Sequence, residues 1–492
     1  MPSEVKESVP LEVKESSSDA AKRKYDLIYG LDDKPAPLQA IYGAMQHLLA
    51  MFVGIITPAI IISGVLGLSV EYSSFLISMA LFASGVGTFI QVSRFGPLGS
   101  GLLSIQGVSF TFISTIIVIG LSVKKGGGSV ETAMATIFGC TFLGSFFTMA
   151  ASRALPYLQK IITPVVSGVV VLLIGLTLIQ VGMVDFCGGF ATKGTPDFGS
   201  LENVGLGALV MTIIIFLNRS NRPLLRMGSV VIGLMVGYIV AAFMGKIDFS
   251  QLAGITIFSL PVPFKFGFFQ FDFSMMFTVG IIYLLIVMEA IGDLTATSML
   301  SGQPVEGEIY VKRISGGILA DGFNSAVAAV FSAFPLATFS QNNGVIQMTG
   351  VASRHVGKYI AGIMILLSIF PVLGGVISII PKPVLGGATL VLFAMVASAG
   401  IRIITSRPLG RQEMLILAIS LGSGLGAHFV PEVFSNMPKI VQDIGHSSIA
   451  VGGMSAILAT LVLGFGEVGE EEGEVGEKEK SVEVRESVES GE

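Results

Sequence analysis

The sequence predicts an all-α polytopic membrane protein with closely packed spans, and three observations carry that prediction. Of 492 residues, 52% are hydrophobic and 13% charged, where a soluble protein has about 25% charged residues; the mean hydropathy is +0.80. Glycine supplies 61 residues, above the usual share of about 7%, as expected where helices approach closely in lipid. The apolar residues gather in fourteen runs: 38–66, 72–92, 99–121, 132–151, 160–182, 203–217, 228–245, 275–298, 315–333, 336–353, 355–372, 383–403, 411–428 and 447–465. A spanning helix needs about 20 apolar residues, and several runs are shorter or broken by Gly, Pro or polar residues. This composition excludes a soluble enzyme, a nucleic-acid binder and a disordered scaffold.

Charge divides unevenly along the sequence. Residues 1–34 hold 6 basic and 8 acidic groups, residues 466–492 hold 3 and 11, and the middle holds 20 and 15. Both ends read as solvated, disordered tails, and residues 1–34 are too polar for a cleavable signal. With both termini cytoplasmic, the inner loops collect Arg94, Arg153, Lys160, Arg219, Arg222, Arg226, Lys312, Arg313, Arg354, Lys358, Arg402, Arg407 and Arg411. The outer loops hold only Lys124, Lys125, Lys193, Lys246, Lys265, Lys382 and Lys439. The inner excess favours that orientation and an even number of spans.

In sequence order, run 1 carries Gln46 and His47. A lone His in an apolar helix serves as an interhelical hydrogen-bonder or, more sharply, as a proton relay. Run 3 opens with Pro97-Leu-Gly-Ser-Gly and run 10 with Pro335-Leu-Ala-Thr-Phe-Ser-Gln-Asn-Asn-Gly. Interrupted segments at matching places in two halves point to a transporter's binding site; the alternative is a pair of ordinary short helices with exposed loops. Pro164-Val-Val-Ser-Gly in run 5 is echoed by Pro383-Val-Leu-Gly-Gly in run 12. Seven spans per half would make the repeat inverted.

Run 8 places Glu289, Asp293 and Thr297 at i, i+4 and i+8, on one helical face. A charge at mid-bilayer costs about 2.5–3.5 kcal/mol, so this stripe should face an internal cavity, with at least one carboxyl holding a proton. The alternative is a structural hydrogen-bond pair. Asp321 in run 9 is another lone carboxyl among small residues, for which helix capping is the competing role. Gln341, Asn342 and Asn343 in run 10 offer donors and acceptors suited to a ligand with adjacent N–H and C=O groups, such as a nucleobase. Phe110 in run 3 could supply a stacking face. Cys140 and Cys187 match no metal spacing and require no disulfide. No nucleophile–base pair or metal cluster suggests an enzyme, and no cofactor is called for.

Gln341-Asn-Asn-Gly-Val-Ile-Gln-Met-Thr-Gly350 resembles the signature of the nucleobase–ascorbate transporter (nucleobase:cation symporter-2) family at each of its defined positions. Over about 35–465, further landmarks resemble the family: Gln46-His47, Gly99-Ser-Gly-Leu-Leu-Ser-Ile-Gln106, Glu289-Ala-Ile-Gly-Asp293 and Ala320-Asp321-Gly322. Gly350, followed by Val-Ala-Ser-Arg354, is similar to the bacterial xanthine/uric acid permease branch; uracil permeases more often begin the motif with Glu.

The resemblance implies fourteen spans in two inverted seven-span repeats, with short β-strands in spans 3 and 10. It implies a core domain from 35–155 (spans 1–4) and 275–372 (spans 8–11), and a gate domain from 156–274 (spans 5–7) and 373–465 (spans 12–14). Glu289 would accept the ring N–H groups, Gln341 would pair with a ring C=O and N–H beside the Ser340 backbone, and Phe110 would pack on the ring. Asp321 would be the carboxyl most tied to proton coupling, with His47, Asp293 and Asn342 organising the site. Ser109 stands where xanthine-selective members often have Asn, and the smaller hydroxyl resembles members that accept urate. The implied activity is proton-coupled import of xanthine first and urate second, across the cytoplasmic membrane, by a multi-pass homodimer with no nucleic-acid partner. The alternatives are a uracil or other nucleobase permease and an anion transporter of similar inverted-repeat fold; the last is disfavoured by the two carboxyls of run 8. A channel or membrane sensor has less behind it, since no soluble output domain is evident.

Overall fold

The computed structural model describes residues 27–155, 163–305, 307–405 and 408–464. The tails expected to be disordered fall outside the described residues over 1–26 and 465–492, as do Lys160 and Arg407 of the inner basic set. Residues 27–34, read from the sequence as part of the N-terminal tail, are instead docked. Ile28 and Tyr29 donate backbone N–H to Gly350 O at 2.8 and 3.0 Å, Ala352 N–H returns to Tyr29 O at 2.9 Å, and Arg354 Nη2 reaches Asp32 Oδ1 at 2.6 Å. Composition reported the polarity of this stretch but not the backbone edge waiting at 350–354.

The principal helices are α1 (Pro37–Val65), α2 (Val70–Ser93), α3 (Ile113–Lys125), α4 (Val130–Ala151), α5 (Pro164–Phe186), α6 (Leu201–Asn218), α7 (Ser229–Phe243), α8 (Phe273–Leu300), α9 (Gly307–Val330), α10 (Gln341–Thr349), α11 (Arg354–Ser368), α12 (Lys382–Ile404), α13 (Arg411–Phe429) and α14 (Ser448–Gly464). Two strands, β1 (Gln106–Val108) and β2 (Leu336–Thr338), precede α3 and α10. The protein is a mostly helical, multi-pass membrane protein. Among the described residues seven helices, α1, α2, α4, α5, α6, α8 and α12, are long and apolar enough to cross a bilayer. An eighth span arises if α11 is joined to Pro371–Ser378, at a bend of 78°.

Local chemistry starts these helices. Ser69 and Ser129 cap α2 and α4 through the N–H groups of Tyr72 and Thr132, and Thr163 caps α5 ahead of Pro164. Asp272 caps α8 by accepting from Ser274 N at 3.0 Å and Met275 N at 3.2 Å. Burial pushes this carboxyl up, but the Met275 N–H, the Lys439 ammonium at 3.3 Å and the Ser274 N–H together hold it below the usual carboxylate range.

The helices pack in two sets. In one, α2 lies on α11, α9 and α1, and α4 lies on α9, α8 and α3. In the other, α5 lies along α12, α12 on α6, α6 on α7, and α13 on α14. The α5–α12 pair is antiparallel and its backbones nearly touch. A Cβ at Gly175 would come within 2.4 Å of Ala397 N, and one at Gly386 within 2.1 Å of Phe186 N. The two proline-led echoes therefore start helices that pack on each other. Residues 259–270, grouped by the sequence with 156–274, lie on the first set: Phe264 N–H donates to Val330 O and Gln270 N–H to Ala135 O, while Phe266 packs against Tyr72, Phe75 and Phe138.

Candidate functional site

The interrupted segments form a two-stranded antiparallel sheet in the protein interior. Gln106 pairs with Thr338, Gly107 with Ala337 and Val108 with Leu336, and both strands are fully buried. Such backbone survives at membrane depth only if its polar groups are met inside the protein. Here Ser109 N–H donates to Pro335 O at 2.9 Å, Phe339 N–H to Ile105 O at 3.0 Å, Gln106 N–H to Thr88 Oγ1 at 2.9 Å and Leu336 N–H to Ser325 Oγ at 3.0 Å. The alternative of short helices with exposed loops does not hold.

Beyond the sheet, Ser109, Phe110, Ala337, Thr338, Phe339, Ser340 and Gln341 line one pocket together with Glu289 of α8. Its opposite wall is Val171 and Ile174 of α5 and Val396 of α12, so the two helix sets meet across it. The pocket is narrow, about 20 Å³. Phe110 stacks near Phe339 with centroids 6.3 Å apart and meets Phe393 edge-on at 5.8 Å. Thr111 Oγ1 donates to Glu289 Oε2 at 3.3 Å. Gln341 is the first residue of α10, at the helix end where backbone N–H groups lack intrahelical partners, and its side-chain amide bonds no other described residue. A flat heterocycle here would meet an acid, an amide and an aromatic face. A larger cavity of about 250 Å³ lies between α1, α7 and the segment 376–385, but its walls are apolar residues such as Phe52, Ile56, Leu234 and Ile377, joined by Tyr238, and give little to a polar ring edge.

Around the pocket the structure sorts the remaining sequence-predicted residues. His47 Nδ1 and Asn342 Oδ1 lie 2.9 Å apart, and Asn342 Nδ2 donates onward to Leu103 O. This ties α1 to α10 and to the segment before β1, the interhelical role weighed for His47. Asp293 is buried; its backbone O accepts from Thr297 Oγ1 at 2.8 Å and Asn343 Nδ2 at 3.3 Å, while its Oδ2 has no partner. Asp321 sits mid-helix in α9, so it caps nothing. Its Oδ1 accepts from Gln91 Nε2 and Gln106 Nε2, each at 2.8 Å, with Thr338 Oγ1 at 3.4 Å. Asp321 is thus beneath the sheet rather than on the pocket wall. Glu289 and Asp321 both act electrostatically on Asp293, and no ion pair reaches any of the three among the described residues.

Sequence reasoning gave no role to Gln91, Gln106, Thr111 or Thr338. Gln91 had a usable signal, a single amide inside an apolar run. Gln106 stood among the family landmarks without a function. Among the described residues no three His, Cys, Asp or Glu side chains converge to hold a metal ion, and Cys140 and Cys187 are both free thiols.

The family model Xan_ur_permease, described as "Permease family", matches residues 38–433. The xanthine permease XanQ of Escherichia coli (strain K12) is 49% identical over 438 residues, covering 89% of this chain and 94% of the relative. Xanthine permease XanP of the same strain is 45% identical over 453 residues, 92% and 98% of the two chains. Uric acid permease PucJ of Bacillus subtilis (strain 168) is 32% identical over 421 residues, 85% and 91%. Among solved structures, the transmembrane domain of a cyanobacterium bicarbonate transporter, BicA, superposes with a TM-score of 0.56 at 15% identity, covering 88% of this chain and 99% of that one. SLC26A9 gives 0.56 at 12% identity, covering 87% and 65%. These structures share the fold.

Proposed function

Because the chain belongs to this permease family of membrane transporters, and is not an enzyme, we propose that it is a proton-coupled purine symporter that imports xanthine first and urate second by alternating access. The observation that carries the reading is the convergence of Glu289, Gln341 and Phe110 on one interior pocket, in a protein similar to xanthine permeases over nine-tenths of its length. Glu289 would accept ring N–H groups, the Gln341 amide would pair with an adjacent C=O and N–H, and Phe110 would cover the ring face. Ser109 leaves room for the additional oxygen of urate.

The architecture in this reading is fourteen spans in two inverted repeats, with both termini cytoplasmic, in the cytoplasmic membrane and as a homodimer. The set around α1–α4 and α8–α11 acts as core, and the set around α5–α7 and α12–α14 as gate. The narrow pocket, walled by both sets, supports this division: a fused heterocycle enters only when the walls part. Protonation of a buried carboxyl and substrate binding favour each other, and that coupling is reciprocal.

The test is accumulation of labelled xanthine by cells expressing the protein, with and without a protonophore. Loss of accumulation on collapse of the proton gradient is expected; undiminished accumulation removes the coupling. The fold neighbours keep a second reading in view, transport of an inorganic or carboxylate anion. Uptake of labelled sulfate or bicarbonate that excess xanthine leaves unchanged, with no accumulation of labelled xanthine, would favour it.

A further inference from the structure

Two glutamines hold Asp321, and they differ at one atom. Gln91 uses both ends of its amide. Its Nε2 donates to Asp321 Oδ1 at 2.8 Å and Gly317 O at 3.0 Å, and its Oε1 accepts from Ser100 N–H at 2.8 Å. It cannot turn without losing all three bonds. Gln106 uses one end. Its Nε2 donates to Asp321 Oδ1 at 2.8 Å and to Thr338 Oγ1 at 3.0 Å, while its Oε1 is buried with no partner.

A buried acceptor left without a donor is destabilising, and here it sits on the far end of an amide that faces a carboxyl. An ionised carboxyl only accepts, so it draws the NH₂ end toward itself; a protonated carboxyl gains one O–H donor. We propose that Gln106 is a positioning residue that reads the proton on Asp321. With Asp321 ionised, the amide stands as described. When a proton from the aqueous phase binds Asp321, the amide turns end for end, Oε1 accepts the new O–H, and the bond to Thr338 reverses, its hydroxyl now donating to Oε1 instead of to Asp321. No covalent bond changes apart from the O–H formed on Asp321.

The consequence falls on the pocket because of register. Gln106 and Thr338 face each other across the sheet, so the turn reverses the side-chain tie between the two strands and withdraws the Thr338 hydroxyl from Asp321. β1 runs on to Ser109 and Phe110, and β2 to Phe339, Ser340 and Gln341, all pocket residues. Glu289 of α8 acts electrostatically on Asp321, and Glu289 and Asp321 both act on Asp293. From α2, β1 and β2, neutral Gln91, Gln106 and Thr338 meet Asp321, and His47 of α1 is engaged with Asn342 instead. The inference rests on the proton-coupled reading above.

The experiment is equilibrium binding of labelled xanthine to the purified full-length protein between about pH 5 and 7, for wild type and for Gln106→Met, which keeps length but removes donor and acceptor. Wild-type affinity is expected to rise about 5-fold or more toward acid, a typical coupling between two sites, and Gln106→Met to flatten the rise below about 2-fold. A sloped wild type with an equally sloped Gln106→Met overturns the inference alone. A flat wild type removes the proton-coupled reading and the inference with it. Should Gln106→Met fail to fold, isotope-edited infrared spectra of labelled glutamine in the wild type decide. A glutamine amide carbonyl band that shifts on acidification, and stays still in Asp321→Asn, supports the turn; a band fixed in both overturns it.

Discussion

Glu289 lines the pocket and, among the described residues, is held by one long hydrogen bond, from Thr111 Oγ1 at 3.3 Å. Replacing it by Gln keeps the shape and removes a charge-assisted acceptor worth about 1.5–3 kcal/mol. Glu289→Gln is therefore expected to weaken xanthine binding by about 10- to 100-fold, read as loss of the xanthine-induced rise in melting temperature of purified protein. Near-normal binding would remove Glu289 from the site. At Ser109, the Oγ accepts from Thr111 N–H at 3.3 Å and caps the turn that carries Phe110. Ser109→Asn adds volume beside the ring, and the ratio of urate to xanthine uptake is expected to fall; an unchanged ratio would assign urate acceptance elsewhere. The carboxyls of α8 were legible because a helical period is a local property of the sequence. The partners of Asp321 were not, because nothing local links Gln106 to a residue 215 positions later.

Among elements, the β1–β2 sheet leaves little room for change. The Phe339 ring lies across β1 at Gly107, where an added Cβ would come within 2.3 Å of the ring carbon Cζ. Gly107→Ala must push that ring toward Phe110 and the pocket, at a cost of about 1–3 kcal/mol for overpacking. Loss of most xanthine uptake is expected at near-normal membrane expression; full uptake would show that the ring has room to move. The α8 cap gives a prediction of a different kind. The Asp272 carboxyl is held below its unfolded value, so its stabilisation is present above that value, about pH 4, and is lost as pH falls through the lower folded one. Melting temperature of the wild type should decline across that interval more steeply than that of Asp272→Asn. Both interrupted segments could be found in the sequence from their Gly, Pro and amide content. Their pairing as strands could not be read from that content, since it joins residues 232 positions apart.

For the whole molecule, the close α5–α12 contact is a structural spine of the second helix set. Gly175 and Gly400 let the two backbones approach where a side chain would strike Ala397 N or Leu172 N, each at 2.4 Å. Without a hydrophobic force between helices in lipid, such packing supplies much of the association energy. Gly175→Leu should separate α5 from α12, lower the melting temperature and displace the Val171 and Ile174 wall of the pocket. A variant as stable and as active as wild type would show that this spine is dispensable. The tie between Asp272 and Lys439, at 3.3 Å, joins the α8 end of the first set to the segment leading into α14, so the sets are linked by polar contacts as well as by the pocket.

Hydropathy, glycine content and the i, i+4 spacing of Glu289 and Asp293 determined that this protein lives in a bilayer, where its apolar elements run and which face of α8 is polar. These properties follow from residues near one another in sequence, and lipid as a solvent enforces them on any fold. Only the tertiary structure decided that β1 meets β2, that Gln91 and Gln106 share one carboxyl oxygen, that α5 and α12 close the pocket, and that residues 27–34 dock on 350–354. Those facts depend on which distant backbone and side-chain groups satisfy one another once water is excluded, and composition and periodicity carry no record of that choice.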